Sequence, residues 1–213
     1  MRILCLANSV KQGGRCLAGI QLDNNNHPVI QNNRPVWIRP IVKSEHGQLP
    51  GFLCSKISPL NVIEIDQASI NGTGYQSENT TFKENSLKVV GSVNQSVLDN
   101  LCDNDSLRIV FGNRGKAVPE EKIQRMNHSL MLVKTSIFQI TERKHKYRDF
   151  NQIRLTFRYN GILYDLPITD PLFLHQYEKN PEILDKKEAI FVVLSLGVSF
   201  KDWYYKLAAS IIY

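Results

Sequence analysis

The sequence lacks any long apolar run. None of its uninterrupted apolar stretches approaches the roughly 18 to 20 residues that a membrane-spanning helix needs. The first residues also lack the cationic start, the apolar segment and the small-residue cleavage site of a signal peptide. We therefore expect no membrane partner, and a cytoplasmic location is the default expectation.

Cysteine is scarce, and its spacing excludes the common zinc motifs. The four cysteines form no C-x-x-C pair and no Cys/His cluster: Cys5, Cys16, Cys54 and Cys102. We expect reduced thiols that pack as small hydrophobic groups, with no bound metal and no cofactor.

Recognisable catalytic motifs are also missing. The five histidines show no H-x-E or H-E-x-x-H spacing, and no serine lies in a G-x-S-x-G segment. We predict no catalytic residue, which favours a non-enzymatic chain without deciding the question. One enzymatic alternative stays open, because Asp165 and Asp170 in "YDLPITDP" could hold a metal for phosphodiester chemistry. They could equally cap turns at the adjacent prolines.

Short apolar segments rich in β-branched and aromatic residues fill most of the chain. Clusters of Gly, Asn, Pro and Asp separate them, which is typical of many short strands closed into barrels or sandwiches. Helical signals are confined to "SVLDNL", "VPEEKIQRM" and "DPLFLHQYEKN", each enough for a turn or two. We predict an all-β-dominated fold with a few short helices.

A polar, turn-rich stretch, Gln67 to Ser86, interrupts the series of strands. It predicts two β-units packed together. We place the first at residues 1–70, a connecting segment at 71–86 and the second at 87–213. The first unit would be near the lower size limit for a self-sufficient core.

Positive charge is concentrated in one segment. The chain has a net charge of +6, and the span from Lys134 to Arg158 contains seven basic residues against two acidic ones. In "QIRLTFRYN" the apolar residues alternate with arginines, which predicts a half-buried strand with an outward basic face. Cations interleaved with aromatic rings favour a single-stranded nucleic-acid surface, for which the candidates are Arg143, Lys144, Lys146, Tyr147, Arg148, Arg154 and Arg158. The alternative is a solvated hairpin tip.

Three stretches earlier in the chain suggest further contacts. "ANSVKQGGRC" carries Lys11 and Arg15 around a glycine pair, and it fits either a hairpin turn or an anion-binding loop. Trp37 and Arg39 share one face of a strand, so they could stack on a base and bind a phosphate, or pack in the core with an acidic partner. The polar side chains of "YQSEN" could read base edges or satisfy their own loop.

Several phrases in succession resemble a known family. "RILCLANSVKQGGRCLAGIQL", "WIRPI", "YQSEN", "LPITDP", "VVLSLGVSF" and "YYKLAASII" are similar, in order and spacing, to the prokaryotic dual OB-containing domain family over essentially the whole chain. The resemblance implies two tandem OB-like barrels, nucleic-acid binding and a role in bacterial defence or conflict systems. It implies no catalytic residue. One departure is the run Val198-Ser199-Phe200, where an acidic residue is expected before the phenylalanine.

The resemblance also marks positions for the ligand side or the architecture of the barrels. The polar candidates are Asn8, Ser9, Gln76, Glu78 and Asn79, beside Lys11, Arg15 and the segment Trp37 to Pro40. We predict a non-catalytic module that binds single-stranded or modified DNA or RNA and presents it to a separately encoded effector. The alternative is a protein-interaction or nucleotide-sensing subunit of a defence complex. The choice between DNA and RNA, and the oligomeric state, stay open.

Overall fold

A computed structural model describes residues 1–144 and 151–213 of the chain. The described residues form two units, residues 1–101 with 125–130 and residues 102–124 with 131–213. Both units consist mainly of strands joined by short helices and turns, which confirms the predicted all-β class. No helix in the described part of the chain is long and apolar enough to cross a membrane.

The first unit contains nine strands and one short α-helix. Its elements are β1 (Arg2–Lys11), β2 (Gly14–Leu22), β3 (Ile30–Gln31), β4 (Arg34–Pro35), β5 (Trp37–Ile41), α1 (Gly51–Cys54), β6 (Asn61–Glu64), β7 (Ser69–Ile70), β8 (Asn79–Thr81) and β9 (Lys88–Ser92). Short 3-10 helices span Gly74–Gln76, Glu84–Ser86 and Gln95–Leu101.

Seven of these strands form one sheet, in the order β7-β8-β5-β2-β1-β6-β9. β1 and β2 form a hairpin whose central residues, Gln12 and Gly13, have φ values of 39° and 81°. Two-residue hairpin turns of this kind need positive φ at both positions, which glycine adopts without strain. β5 and β8 pair in parallel, while β6 and β7 pair antiparallel with β9 and β8. These pairings close the strands into a small Greek-key barrel.

Apolar side chains from the longest strands fill the interior of this barrel. Ile3 and Cys5 of β1 meet Leu17 of β2, Ile38 of β5 and Ile63 of β6 in one buried cluster. Small barrels are filled by side chains in this way, so the interior is a packed core and holds no channel.

The described residues of the second unit form seven strands and two α-helices. Its elements are β10 (Ala117–Pro119), α2 (Glu120–Ile123), β11 (Leu130–Thr135), β12 (Phe138–Lys144), β13 (Asn151–Tyr159), β14 (Ile162–Pro167), α3 (Pro171–Lys179), β15 (Ile190–Phe200) and β16 (Trp203–Ile212). A further 3-10 turn spans Val110–Gly112.

Two sheets make up the second barrel, β12-β13-β14 and β10-β16-β15-β11. A parallel bridge between Ile168 and Ala208 connects the chain just after β14 to β16. β11 and β12 are consecutive, so together they act as the first barrel strand, and α3 lies between the third and fourth. The order β14, β13, β12 with β11, β15 and β16 repeats the order β5, β2, β1, β6 and β9 of the first unit, so β5 and β14 are the third strands of their barrels. This shared order confirms the predicted tandem OB-like barrels.

Local sequence signals explain the two α-helices of the second unit. Pro119 precedes α2 and Pro171 begins α3, and proline suits these positions because the first helical N–H groups need no partner within the helix. The Asp170 carboxylate caps α3, accepting hydrogen bonds from the backbone N–H groups of Leu172 at 3.0 Å and Phe173 at 3.1 Å.

The division between the units corrects the boundaries expected from the sequence. The stretch 71–86 is not a connecting segment, because β8 within it pairs with β5. β9, expected in the second unit, pairs with β6 of the first. The first unit accordingly extends to Leu101 and includes residues 125–130. Pairing between strands distant in sequence decides this boundary, and local composition does not reveal it.

Candidate functional site

A cleft of about 1150 Å³ opens on the second unit. Its walls come from the β12-β13-β14 sheet, from the turn before β10 and from the β15-β16 hairpin. Among the residues that the structure describes, seven basic side chains and one acidic side chain line it: Arg114, Lys116, Arg143, Lys144, Arg154, Lys201 and Lys206, with Asp165. The cleft is therefore strongly cationic.

Strand register brings the polar groups of one wall together. Arg143 of β12 lies opposite Gln152 of β13, and Arg154 follows two residues later on the same face. Leu155 and Phe157, on the other face of β13, are fully buried. This alternation confirms the half-buried strand predicted from "QIRLTFRYN".

Asp165 of β14 connects two arginines at this wall. Its Oδ1 accepts a hydrogen bond from Arg154 Nε at 2.6 Å, and its Oδ2 lies 2.9 Å from Arg143 Nη2. Arg154 also donates to the carbonyl oxygen of Asp165 at 2.7 Å and to Gln152 Oε1 at 2.5 Å. These bonds orient the largely buried Arg154, whereas the Arg143 side chain is mostly exposed to solvent.

Lys206 is a buried base at the floor of the cleft. Its Nζ donates a hydrogen bond to the carbonyl oxygen of Asn113 and lies 4.9 Å from the centre of the Tyr164 ring. Burial is the main cause that lowers the pKa of Lys206 to about 7, and the nearby Lys122 ammonium contributes a smaller part of this shift. At neutral pH this lysine therefore contributes only part of a positive charge.

The β15-β16 hairpin forms the opposite rim. Lys201 and Asp202, with φ values of 53° and 63°, make its two-residue turn. The flanking Phe200 is 61% exposed, and Lys201 Nζ lies 5.6 Å from the centre of its ring. Tyr205 lines the cleft two residues after β16 begins. The rim thus combines cations with accessible aromatic faces.

Four residues predicted for this surface are not among the described residues that line the cleft. Three of them lie outside the described residues, and the fourth lies elsewhere on the second unit. Lys146, Tyr147 and Arg148 belong to the segment that joins β12 to β13, and they lie outside the described residues. Arg158 is described and exposed, but it does not line the cleft; its Nη1 donates to the carbonyl oxygen of Gly161 at 3.3 Å. Of the predicted basic segment, the cleft takes in Arg143, Lys144 and Arg154.

In the first unit the predicted stacking pair is buried. Trp37 is 8% exposed and Arg39 is 2% exposed, so neither presents a surface for a base or a phosphate. Arg39 Nη2 lies 3.7 Å from Glu78 Oε1, and the same oxygen accepts a hydrogen bond from the Ser129 backbone N–H at 3.0 Å. This arrangement matches the alternative given in the sequence analysis, in which the pair packs in the core and Arg39 has an acidic partner.

The other polar candidates of the first unit make bonds within it. Asn8 Nδ2 donates to the carbonyl oxygens of Cys54 at 2.9 Å and Ile57 at 2.8 Å, which fixes the chain around α1. Ser9 is buried in β1. Gln76 Oε1 accepts from Asn79 Nδ2 at 3.1 Å, within their own loop. These contacts serve the architecture of the barrel.

Lys11 and Arg15 flank the first hairpin turn and are partly buried. Burial lowers the pKa of Lys11; the neighbouring Cys16 opposes this shift and Arg39 adds to it. The Arg15 backbone pairs with Leu49 through two hydrogen bonds of 2.8 Å. "ANSVKQGGRC" is therefore a hairpin turn, and anion binding by its two cations stays a prediction.

The two carboxylates of the enzymatic alternative have structural partners. Asp165 bonds to two arginines, and Asp170 caps α3 while also accepting hydrogen bonds from Ser210 Oγ and the Ile211 N–H. Burial raises the pKa of Asp170, and its backbone and side-chain hydrogen bonds oppose this shift. Within residues 1–144 and 151–213, no group of three or more His, Cys, Asp or Glu side chains is arranged to hold a metal ion.

Comparison with family models decides the classification of the chain. The model described as a dual OB-containing domain matches residues 1–211. The chain belongs to this family. No curated protein matches this chain.

Two solved structures illustrate how distant the structural relatives are. A murine DNA-binding protein bound with double-stranded DNA is 10% identical over 100% of this chain and 94% of its own, with a TM-score of 0.33. A replication protein A heterotrimer bound to single-stranded DNA is 11% identical over 99% of this chain and 48% of its own, with a TM-score of 0.37. Identities and TM-scores this low do not indicate a shared ligand.

Several cleft residues of the dual OB-containing domain were not among those predicted from the sequence. Arg114 and Lys116 come from the segment before β10, and Phe200, Lys201 and Tyr205 come from the last hairpin. A local signal was present in "SFKDWYY", where a lysine and an aspartate at a turn stand between aromatic residues. The strand pairing that brings both segments to β13 is long-range and leaves no local signal.

Proposed function

We propose that this dual OB-containing domain binds single-stranded nucleic acid in the cationic cleft of its second barrel. The observation that carries the proposal is the lining of that cleft, where seven described basic side chains face one acidic side chain. Phosphate contacts by Lys and Arg supply most of the affinity of sequence-independent nucleic-acid binding.

The position of the cleft supports the proposal. OB folds bind oligonucleotides over the face of barrel strands 2 and 3, between the loops that join strands 1 to 2 and strands 4 to 5. In the second barrel, strands 2 and 3 are β13 and β14, and Lys201 lies in the turn between strands 4 and 5. The basic segment containing residues 145–150 joins strands 1 and 2.

The aromatic rim favours an unpaired strand over a duplex. Phe200 and Tyr205 expose ring faces beside Lys201, and unpaired bases stack on such faces, whereas bases in a duplex are already stacked on one another. The cleft that these rings border has a volume of about 1150 Å³. Neither feature selects DNA over RNA.

The test is a titration of fluorescein-labelled 12-nucleotide DNA and RNA, followed by anisotropy at about 50 mM and 200 mM salt. We expect affinity to fall steeply with salt. In the double variant Arg114→Ala with Lys201→Ala, the slope of log K against log salt should become shallower by about 1.4, since each phosphate contact on a single strand contributes about 0.7.

The matched control is Lys11→Ala with Arg15→Ala, which removes the same charge from the first barrel. It should bind as the wild type does, because both side chains lie outside the cleft. A loss equal to that of the cleft variant would place binding on the first hairpin. No binding of either oligonucleotide at about 50 mM salt, or binding without salt dependence, would contradict the proposal.

The finer parts of the predicted function stay predictions. A competition experiment distinguishes a nucleotide-sensing role from the binding of a nucleic-acid strand. A mononucleotide that displaces the 12-mer at equal concentration would indicate a small-ligand site. Reading of a chemical modification, presentation to a separate effector and a role in bacterial defence rest on the family resemblance alone.

A further inference from the structure

Three aromatic rings form a stripe on one side of the β15-β16 hairpin. Phe200 lies opposite Trp203 in the strand register, and Tyr205 follows Trp203 by two residues, so all three side chains share a face. Trp203 is 44% exposed and Tyr205 is 37% exposed. The ring centres of Phe200 and Tyr205 are 6.4 Å apart. Exposed rings in a contiguous patch mark an interaction surface.

The stripe connects the cleft to a second groove. This groove has a volume of about 530 Å³ and lies beside the edge strand β10, with Ala117, Pro119 and Trp203 in its lining. Tyr205 and Lys116 line both the cleft and the groove. The cleft and the groove therefore adjoin at Tyr205 and Lys116, so a polymer that leaves the cleft over Tyr205 reaches the groove directly.

Charge along this path suits a polyanion. Lys116 lies at the junction, Lys122 lines the groove, and Lys201 holds its ammonium over the Phe200 ring at the cleft end. Among the described residues that line the groove, Glu121 is acidic. Alternating cations and stacking rings are the features that bind a single strand without sequence preference.

We infer that a bound single strand continues beyond the cleft, passes over Tyr205 and places a base on Trp203 in the groove beside β10. The inference rests on the proposed function, because the cleft must hold the preceding nucleotides. It gives the second barrel a longer site than the face of β13 and β14 alone provides, and it assigns Trp203 as a stacking residue.

The fluorescence of Trp203 can report whether a base stacks on this side chain. The chain has two tryptophans, and Trp37 is buried in the first unit. The experiment titrates unlabelled dT oligomers of about 4 and 12 nucleotides, spanning OB-fold site sizes, into wild type and Trp203→Phe while recording tryptophan fluorescence. Labelled oligomers measure affinity in parallel. We expect the 12-mer to quench the fluorescence of Trp203 in the wild type, and to cause no such quenching in Trp203→Phe. The 4-mer should bind without quenching Trp203.

Trp203→Ala should weaken binding of the 12-mer by about 5- to 160-fold, the range for losing one stacked base, and leave the 4-mer unchanged. Phe52→Ala removes an aromatic ring that is 76% exposed in the first unit, and it should change neither affinity. Circular dichroism checks that each variant is folded.

The outcomes separate the inference from the proposed function. If both oligomers bind but Trp203 is not quenched and Trp203→Ala binds like the wild type, the inference is overturned and the cleft proposal stands. If neither oligomer binds, both fail. If Trp203→Ala changes only the oligomeric state on a sizing column, the stripe is a protein interface, and the inference is also overturned.

Discussion

Replacing Asp165 with asparagine should strengthen nucleic-acid binding while weakening the fold. Asp165 places a carboxylate in a cleft otherwise lined by basic side chains, where it pairs with Arg143 and Arg154. A phosphate bound on the outer side of Arg143 would lie about 6 Å from that carboxylate. At this distance two unit charges repel by about 0.7 to 1.4 kcal/mol for an effective dielectric constant between about 80 and 40.

The expected gain in affinity follows from this repulsion. Asp165→Asn should bind about 3- to 10-fold more tightly at about 50 mM salt, and the gain should shrink at 200 mM because salt screens the repulsion. Asparagine keeps an oxygen for the Arg154 Nε but loses the charge. Since the Asp165 side chain is 29% exposed, the free energy of unfolding should fall by only about 1 to 2 kcal/mol.

Anisotropy titrations and urea denaturation measure the two effects separately. Asp66→Asn removes the same charge from an exposed position in the first unit, and it should leave both quantities nearly unchanged. A folded Asp165→Asn protein with equal or weaker affinity would refute the reasoning. That result would mean that bound phosphates do not approach Arg143, and that Asp165 positions the arginines for the ligand.

Two further predictions concern the fold. A Cβ at position 14 would lie 2.6 Å from the Leu49 carbonyl oxygen, whereas one at Gly51 meets nothing within 4 Å; Gly14→Ala should therefore lower stability by about 1 to 3 kcal/mol in urea melts, and Gly51→Ala should be nearly neutral. The lowered pKa of Lys206 means that the unfolded chain binds more protons between about pH 7 and 10.5. Stability from this group should rise with pH across that range, by at most about 1.4 kcal/mol per pH unit, and Lys206→Met should lose the rise.

Most of the local structure could be predicted from the sequence, because strand alternation and turn chemistry are local. The first hairpin turn and the buried face of β13 follow from a glycine pair and from a two-residue period. The boundary between the barrels could not be predicted, since the parallel pair of Arg39 with Asn79 joins residues 40 positions apart across a polar loop.

The candidate site was predictable only where its cations are close in sequence. The basic segment identified Arg143, Lys144 and Arg154, whereas Arg114 and Lys201 enter the same cleft from opposite ends of the second unit. The two-residue period of the strand also did not predict that Arg39 is buried. A two-residue period shows which side chains share a face, but the burial of that face depends on residues such as Glu78 and Ser129 that pack on it later in the chain.

The two barrels show why the strand order alone does not locate a binding surface. In the first, Arg39 on β5 is enclosed, with Glu78 beside it and Ser129 bonded to the same carboxylate oxygen. In the second, Asp165 on the third barrel strand bonds to an arginine whose side chain is largely exposed. An enclosed ion pair has no free face for a ligand, whereas Arg143 can bind a phosphate without leaving Asp165. Solvent access to the arginine therefore favours the second barrel as the site of nucleic-acid binding.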